Sequence, residues 1–293
     1  ELNFLLEEAS SYASCKIPLF FRLTPGVDPH THQYITTGKI DSKFGFPLGE
    51  AEKAILKAIQ SEDLEVWGLH CHIGSQIDHI EPFLKAAEVM LQFMADFRKK
   101  HGFVFRELDL GGGLGVPYTD EERDRFPPSR LYVQAISEKV KEMCGELSYP
   151  LPRLYLEPGR SVVNTAGSTI YQVGSVKEIP GVKKYVAVDG GMTDNPRPIL
   201  YGAKYQAHIG NRVVGEQEKV SVVGKCCESG DVLIEEMELS SPRPGDILVV
   251  EATGAYNYSM ASNYNLIPRP GVVFLRERKP ELVVRPESWS DLV

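Results

Sequence analysis

The spacing of apolar residues changes character partway along the 293-residue chain. In the first part, helix-period and strand-like runs take turns. Residues 2–13 read as a short helix and 17–23 as an apolar strand closed by Thr24-Pro25-Gly26. Residues 47–60 have apolar positions at 48, 51, 55 and 59, one face of a helix. The alternation continues with a strand over 64–70, a long amphipathic helix over 80–101, a strand over 103–110, a helix over 130–145 and a strand over 153–157. This rhythm predicts βα units around a parallel sheet or barrel. Beyond about Ala166 the runs at 168–176, 185–188, 220–223, 247–250 and 272–275 are short, β-branched or aromatic, and separated by Gly and Pro. Helical periodicity fades, and Pro242-Arg243-Pro244-Gly245-Asp246 reads as a hairpin or loop.

The predicted fold class is therefore α/β followed by β. Residues 1–166 form part of a (β/α)8 TIM barrel, and residues 167–293 form an all-β barrel or sandwich. Only four strand–helix units are visible, against eight in a complete barrel. Four alone leave open edges and half a barrel core uncovered, so the first four are expected to precede Glu1. Apolar residues make up 42% and charged residues 25%, a composition that suits a folded domain. The net charge of −8 argues against a nucleic-acid partner but leaves room for an anion held by backbone N–H groups. No run is long and apolar enough to span a membrane. Five scattered cysteines, at 15, 71, 144, 226 and 227, suit free thiols in a reducing compartment, so a cytoplasmic (or plastid) location is expected.

Three strand ends carry candidate chemistry. In Leu69-His70-Cys71-His72-Ile73-Gly74-Ser75-Gln76, His70 and His72 share a face of an extended chain. They suit a metal pair, an imidazole laid on a planar ligand, or buried histidines with ordinary hydrogen bonds. No further ligand set follows in sequence, so no metal is predicted. Asp109-Leu110-Gly111-Gly112-Gly113 reads as a tight turn or as glycines that let backbone N–H groups approach an anion. In Glu157-Pro158-Gly159-Arg160, the Arg offers a fork for carboxylate or phosphate, and Glu157 at a strand end faces the barrel mouth. Barrels commonly grip phosphate on the loops after their last two strands, which raises both glycine motifs together. In the β part, Arg197 and Tyr201 suit a substrate carboxylate. Cys226-Cys227-Glu228 sets a thiol beside a carboxylate with no histidine near in sequence to activate it.

Taken in order, these motifs resemble the fold-type-III (alanine-racemase-like) pyridoxal-phosphate-dependent decarboxylases, and their diaminopimelate branch in particular. The resemblance also rests on Thr31-His32-Gln33-Tyr34-Ile35-Thr36-Thr37-Gly38, on Asp41-Ser42-Lys43-Phe44-Gly45 and on the segment from Gly254 to Met260, and it covers essentially the whole chain. It implies a carboxy-lyase that converts meso-2,6-diaminopimelate to L-lysine and CO2, the last step of lysine biosynthesis, with pyridoxal 5'-phosphate as cofactor. His72 is implied to stack on the cofactor ring and Glu157 to bind its nitrogen. Gly112, Gly113, Gly159, Arg160 and Ser75 are implied to surround the phosphate, with Tyr256 near phosphate and substrate. Arg160, Arg197 and Tyr201 are implied to receive substrate carboxylates. Cys227, near the reacting carbon, and Glu228, on the distal amino group, are implied to come from the neighbouring subunit of a homodimer with shared sites. The family's Schiff-base lysine lies in a segment resembling Tyr-Ala-x-Lys-Ala-Asn, which does not occur here; it is expected upstream, with activity depending on it. The competing readings are a relative acting on ornithine, arginine or a carboxylated polyamine, and an inactive regulatory homologue.

Overall fold

The computed structural model describes residues 1–12, 15–28, 43–212 and 215–293. The motif at 31–38, with Asp41 and Ser42, lies outside the described residues. The chain divides into two units, Glu1–Val116 with Asp124–Ser161 and Pro117–Arg123 with Val162–Val293.

The first unit contains α1 (Leu2–Tyr12), β1 (Ile17–Thr24), β2 (Phe46–Pro47), α2 (Leu48–Ile59), β3 (Leu64–His70), α3 (Glu81–His101), β4 (Glu107–Asp109), α4 (Ser129–Glu146) and β5 (Arg153–Tyr155). Its five strands pair in the order β2-β1-β3-β4-β5, all parallel. In α2 the buried residues Ala51, Ile55 and Ala58 form a stripe at helical spacing. Helix α3 starts with Pro82 in its first turn and ends at Gly102, left-handed at φ 73°, whose N–H caps Arg98 O. Its buried face runs from Phe83 through Met90 and Met94 to Phe97. Phe20 of β1 and Tyr155 of β5 meet edge to face at 5.9 Å. Three strand spacings in a flat sheet would hold them about 14 Å apart, so the sheet curls strongly, as a barrel arc does.

Two expectations need correction here. Five strands form where four are expected, because β2 has two residues, too few to leave a periodic signature. The run 103–110 is strand only over Glu107–Asp109. Its phenylalanines serve packing instead: Phe103 and Phe105 stack with Phe97, and the Tyr149 hydroxyl bonds both the N–H and the carbonyl of Phe105.

The second unit contains β6 (Thr169–Ile179), β7 (Lys183–Val188), β8 (Ala207–Ile209), β9 (Gln217–Val223), β10 (Val232–Ser240) and β11 (Ile247–Val250). They form a six-stranded sheet ordered β10-β9-β7-β6-β11-β8, and its end strands β10 and β8 approach each other so that it nearly closes. Strands β12 (Val272–Arg276) and β13 (Lys279–Val284) make a separate antiparallel ribbon. The alternation missed β10, where Glu235-Glu236 interrupts it and the pairing with β9 shifts register. It also missed β8, which has three residues, and β13, which carries Pro280. Pro242 to Asp246 is a loop rather than a hairpin, because β10 and β11 are not neighbours. Among the described residues no helix is long and apolar enough to cross a membrane.

A clamp fixes the approach to β12. Glu287 takes the Arg269 guanidinium at 2.6 and 2.8 Å, the Arg269 N–H at 2.8 Å and the Asn263 amide at 2.6 Å. Those bonds, led by the Arg269 side chain, hold its carboxyl down to about 2. A depressed carboxyl contributes stability above its ordinary value and loses it as pH falls toward the folded value. The gap in melting temperature between the protein and Glu287→Gln should thus be widest near pH 7 and close between pH 4.5 and 2. A gap independent of pH would refute the clamp.

Candidate active site

Parallel register brings the first group of residues together. His70, Asp109 and Tyr155 are aligned across β3, β4 and β5, so the segments just beyond them emerge side by side. The ladder continues past the strands: Cys71 N–H reaches Asp109 O, Leu110 N–H reaches Tyr155 O and Glu157 N–H reaches Gly111 O. His72 Nδ1 accepts the Gly112 N–H at 3.2 Å. Burial, helped by the charge of Arg22 and by His70, lowers the His72 pKa, so the ring is neutral at neutral pH with its lone pair on the accepting nitrogen. The Glu157 carboxylate stands 3.5 Å from His70 Nε2. Asp109 accepts the Gly111 N–H at 2.8 Å, yet burial and then the Glu157 charge outweigh that bond and raise its carboxyl pKa. Arg160 donates to Ser75 Oγ at 3.0 Å, joining the loops after β3 and β5.

His70 falls with Asp109 and Glu157 rather than with His72 as a potential metal set; the three ligand atoms lie within 4.8 Å of one another. The three glycines also admit neighbouring backbone. A Cβ on Gly111 would meet Cys71 O at 2.5 Å, and one on Gly112 or Gly113 would lie under 3.0 Å from Glu157 O or Gly74 O. They let adjacent strand-end loops touch. Gly159 is the open one, with nothing within 4 Å of an added Cβ.

The second group lies in the other unit. Arg197 and Tyr201 sit at the two ends of a one-turn helix (Arg197–Tyr201). Arg197 is 7% exposed and faces the rings of Tyr118, Tyr201 and Tyr256 at 5.3, 5.7 and 5.9 Å. Its side chain bonds the Tyr205 hydroxyl, but its Nε has no hydrogen-bond partner. A buried cation left this way favours an incoming anion. Tyr256 is held left-handed at φ 64°, an uncommon state for an aromatic residue. Cys226 is buried, which pushes its thiol up to about 11, whereas Cys227 is exposed. Glu228 is exposed and accepts a hydrogen bond from the Tyr264 hydroxyl. Buried Asp231 closes this turn, accepting Met192 N–H at 2.7 Å and Cys226 N–H at 2.8 Å.

Sequence reasoning passed over Tyr118 and Tyr264, which lie far in sequence from what they touch, whereas Asp231 was visible as the end of the Cys226–Asp231 turn. Asp109, two residues before the glycine run at a strand end, was visible there.

A curled parallel sheet gathering imidazole, carboxylates and arginine at its strand ends, with an all-β unit around a buried arginine, defines a barrel-type enzyme architecture with an anion-receptive site. The chain belongs to the pyridoxal-dependent decarboxylases: the pyridoxal binding domain of that family matches residues 1–164, and its C-terminal sheet domain matches residues 93–254. Diaminopimelate decarboxylase of Bacillus subtilis is 49% identical over 292 residues, 99% of this chain and 66% of its own length. The solved diaminopimelate decarboxylase of M. jannaschii in complex with L-lysine superposes with TM-score 0.91 at 37% identity, covering 99% of this chain and 66% of its own. That of Helicobacter pylori, also with L-lysine, superposes at 0.86 with 34% identity, covering 99% and 69%. The chain thus spans about two thirds of the length of these relatives.

Proposed function

We propose that the protein is a pyridoxal-phosphate-dependent carboxy-lyase that converts meso-2,6-diaminopimelate to L-lysine and CO2. The observation that carries this reading is the convergence of neutral His72, Gly112, Glu157, open Gly159 and Arg160 on three adjacent strand ends. Those groups fit a flat, anionic, nitrogen-containing ring. Residues 1–166 then act as the cofactor-holding part of the barrel, and residues 167–293 supply the substrate loops.

When bound, the cofactor draws off the electrons left by the departing carboxylate. Around it, His72 offers a flat uncharged face, and Glu157 holds a proton at the ring nitrogen. Gly112, Gly113, Gly159, Arg160 and Ser75 surround the phosphate, with Tyr256 beside it. Arg197 and Tyr201, with Arg160, take substrate carboxylate. Glu228 takes the distal ammonium, and Cys227 delivers a proton to the reacting carbon. A substrate charged at both ends matches this set, since an analogue lacking one end would leave a charged group unmatched. The working unit is a homodimer whose partner contributes Cys227 and Glu228, located in the cytoplasm.

Side-by-side assays should give meso-diaminopimelate a higher kcat/KM than ornithine, arginine or a carboxylated polyamine. Glu157→Gln should lower it about 100-fold or more, the scale of losing one preorganised charged partner. Faster turnover of ornithine would refute the substrate, and an unaffected Glu157→Gln would refute the site.

A further inference from the structure

The Tyr264 hydroxyl donates to Oε1 of Glu228 across 36 residues of sequence. Nothing else in the mechanism above uses Tyr264. Its backbone setting is unusual: the next two residues, Asn265 and Leu266, are both left-handed, at φ 56° and 57°. A leucine in that state is uncommon, and such strain persists only where surrounding bonds over-determine it. Those bonds are present. Asn263 Nδ2 donates to Ile267 O at 3.1 Å and to Glu287 Oε2 at 2.6 Å, Leu266 N–H closes onto Asn263 O at 2.8 Å, and Glu287 grips Arg269 beyond the turn. Upstream, Ser262 N–H is anchored on Thr193 O at 2.8 Å. The turn is braced on both sides of the tyrosine that reaches Glu228.

We infer that Tyr264 is a positioning residue that orients the Glu228 carboxylate for the distal ammonium of the substrate. This rests on the substrate role proposed for Glu228. Glu228 is exposed, and among the described residues the Tyr264 hydroxyl is what restrains its side chain. An unrestrained carboxylate gives up rotamer freedom each time it binds. The tyrosine occupies Oε1 and leaves Oε2 for the ligand. The phenol pKa is raised, chiefly by that same hydrogen bond, so it remains a donor across the working pH range.

The test compares Tyr264→Phe, Glu228→Gln and the double variant in the full-length enzyme. It measures kcat, KM for meso-diaminopimelate, Kd for L-lysine and melting temperature. Phenylalanine keeps the ring and removes only the hydroxyl. The expected result for Tyr264→Phe is a rise in KM and Kd of about 3- to 10-fold, the worth of one hydrogen bond, with kcat and melting temperature unchanged. Glu228→Gln should raise both further, and adding Tyr264→Phe to it should have no additional effect. If Glu228→Gln raises KM and Kd while Tyr264→Phe does not, the positioning role is overturned and the Glu228 reading stands. If Tyr264→Phe acts equally in both backgrounds, or only lowers the melting temperature, the tyrosine is merely structural. If Glu228→Gln changes neither constant, the substrate role of Glu228 fails and this inference with it.

Discussion

Replacing Gly113 with alanine is expected to destabilise the barrel unit by about 3 kcal/mol or more and to weaken retention of pyridoxal phosphate. Two costs add at this position. Its φ of 108° is one that residues with a Cβ rarely adopt, and the added carbon would be driven onto Gly74 O. That neighbour is backbone and cannot rotate away. Relief requires the loops after β3 and β4 to part, which strains the bonds from Ile77 N–H to Gly113 O and from Gly115 N–H to Ile77 O. The same separation carries the Gly112 N–H away from His72 Nδ1. Gly159→Ala is the contrasting variant. It has open space around it and no left-handed φ, so its stability should stay within about 0.5 kcal/mol of the parent. With Gly159 proposed to face the phosphate, cofactor affinity should nonetheless fall. Urea unfolding and cofactor absorbance, read on both variants, separate a packing glycine from a ligand-facing one. Equal stability of the two would overturn this division.

Asp231→Ala should cost about 3–5 kcal/mol. The carboxylate is buried and satisfies two backbone donors, Met192 N–H and Cys226 N–H, so truncation leaves both without a partner. It also packs against Gly191 and Gly224, where any larger residue would collide with it. Asp231 N–H and carbonyl close the turn itself, onto Glu228 O and from Gly224 N–H. Losing the side chain therefore frees the segment that presents Cys227 and Glu228, and decarboxylation should fall in parallel with stability. Asp231→Asn keeps the shape and one acceptor, and it should recover part of both. Chemical unfolding and kcat/KM measured together provide the check; an alanine variant within 1 kcal/mol of the parent would show that water or a neighbour replaces the carboxylate.

Local patterns alone determined a good deal of this protein. The apolar stripes of α2, α3 and α4 and the β-branched runs of the second unit are short-range signals, because a helix or strand must bury one face wherever it packs. The strand-end motifs were legible for the same reason: His72, Gly112, Gly113, Glu157, Gly159 and Arg160 each directly follow a recognisable strand. What these residues do to one another was not legible. The three glycines admit neighbouring backbone, a fact that depends on the register of β3, β4 and β5 and on no property of the motif itself. The partner of His70 is Glu157, 87 positions away, rather than the histidine two residues on. In the second unit, the shortness of β8, the Glu235-Glu236 irregularity of β10 and Pro280 in β13 hid those strands from the alternation rule. The bond from Met192 to Asp231, the aromatic box around Arg197 and the hydroxyl that Tyr264 lends to Glu228 arise only when distant segments are folded side by side. Sequence thus determined which groups are offered, and tertiary structure decided which are paired, because pairing energy depends on distances that chain neighbours do not set.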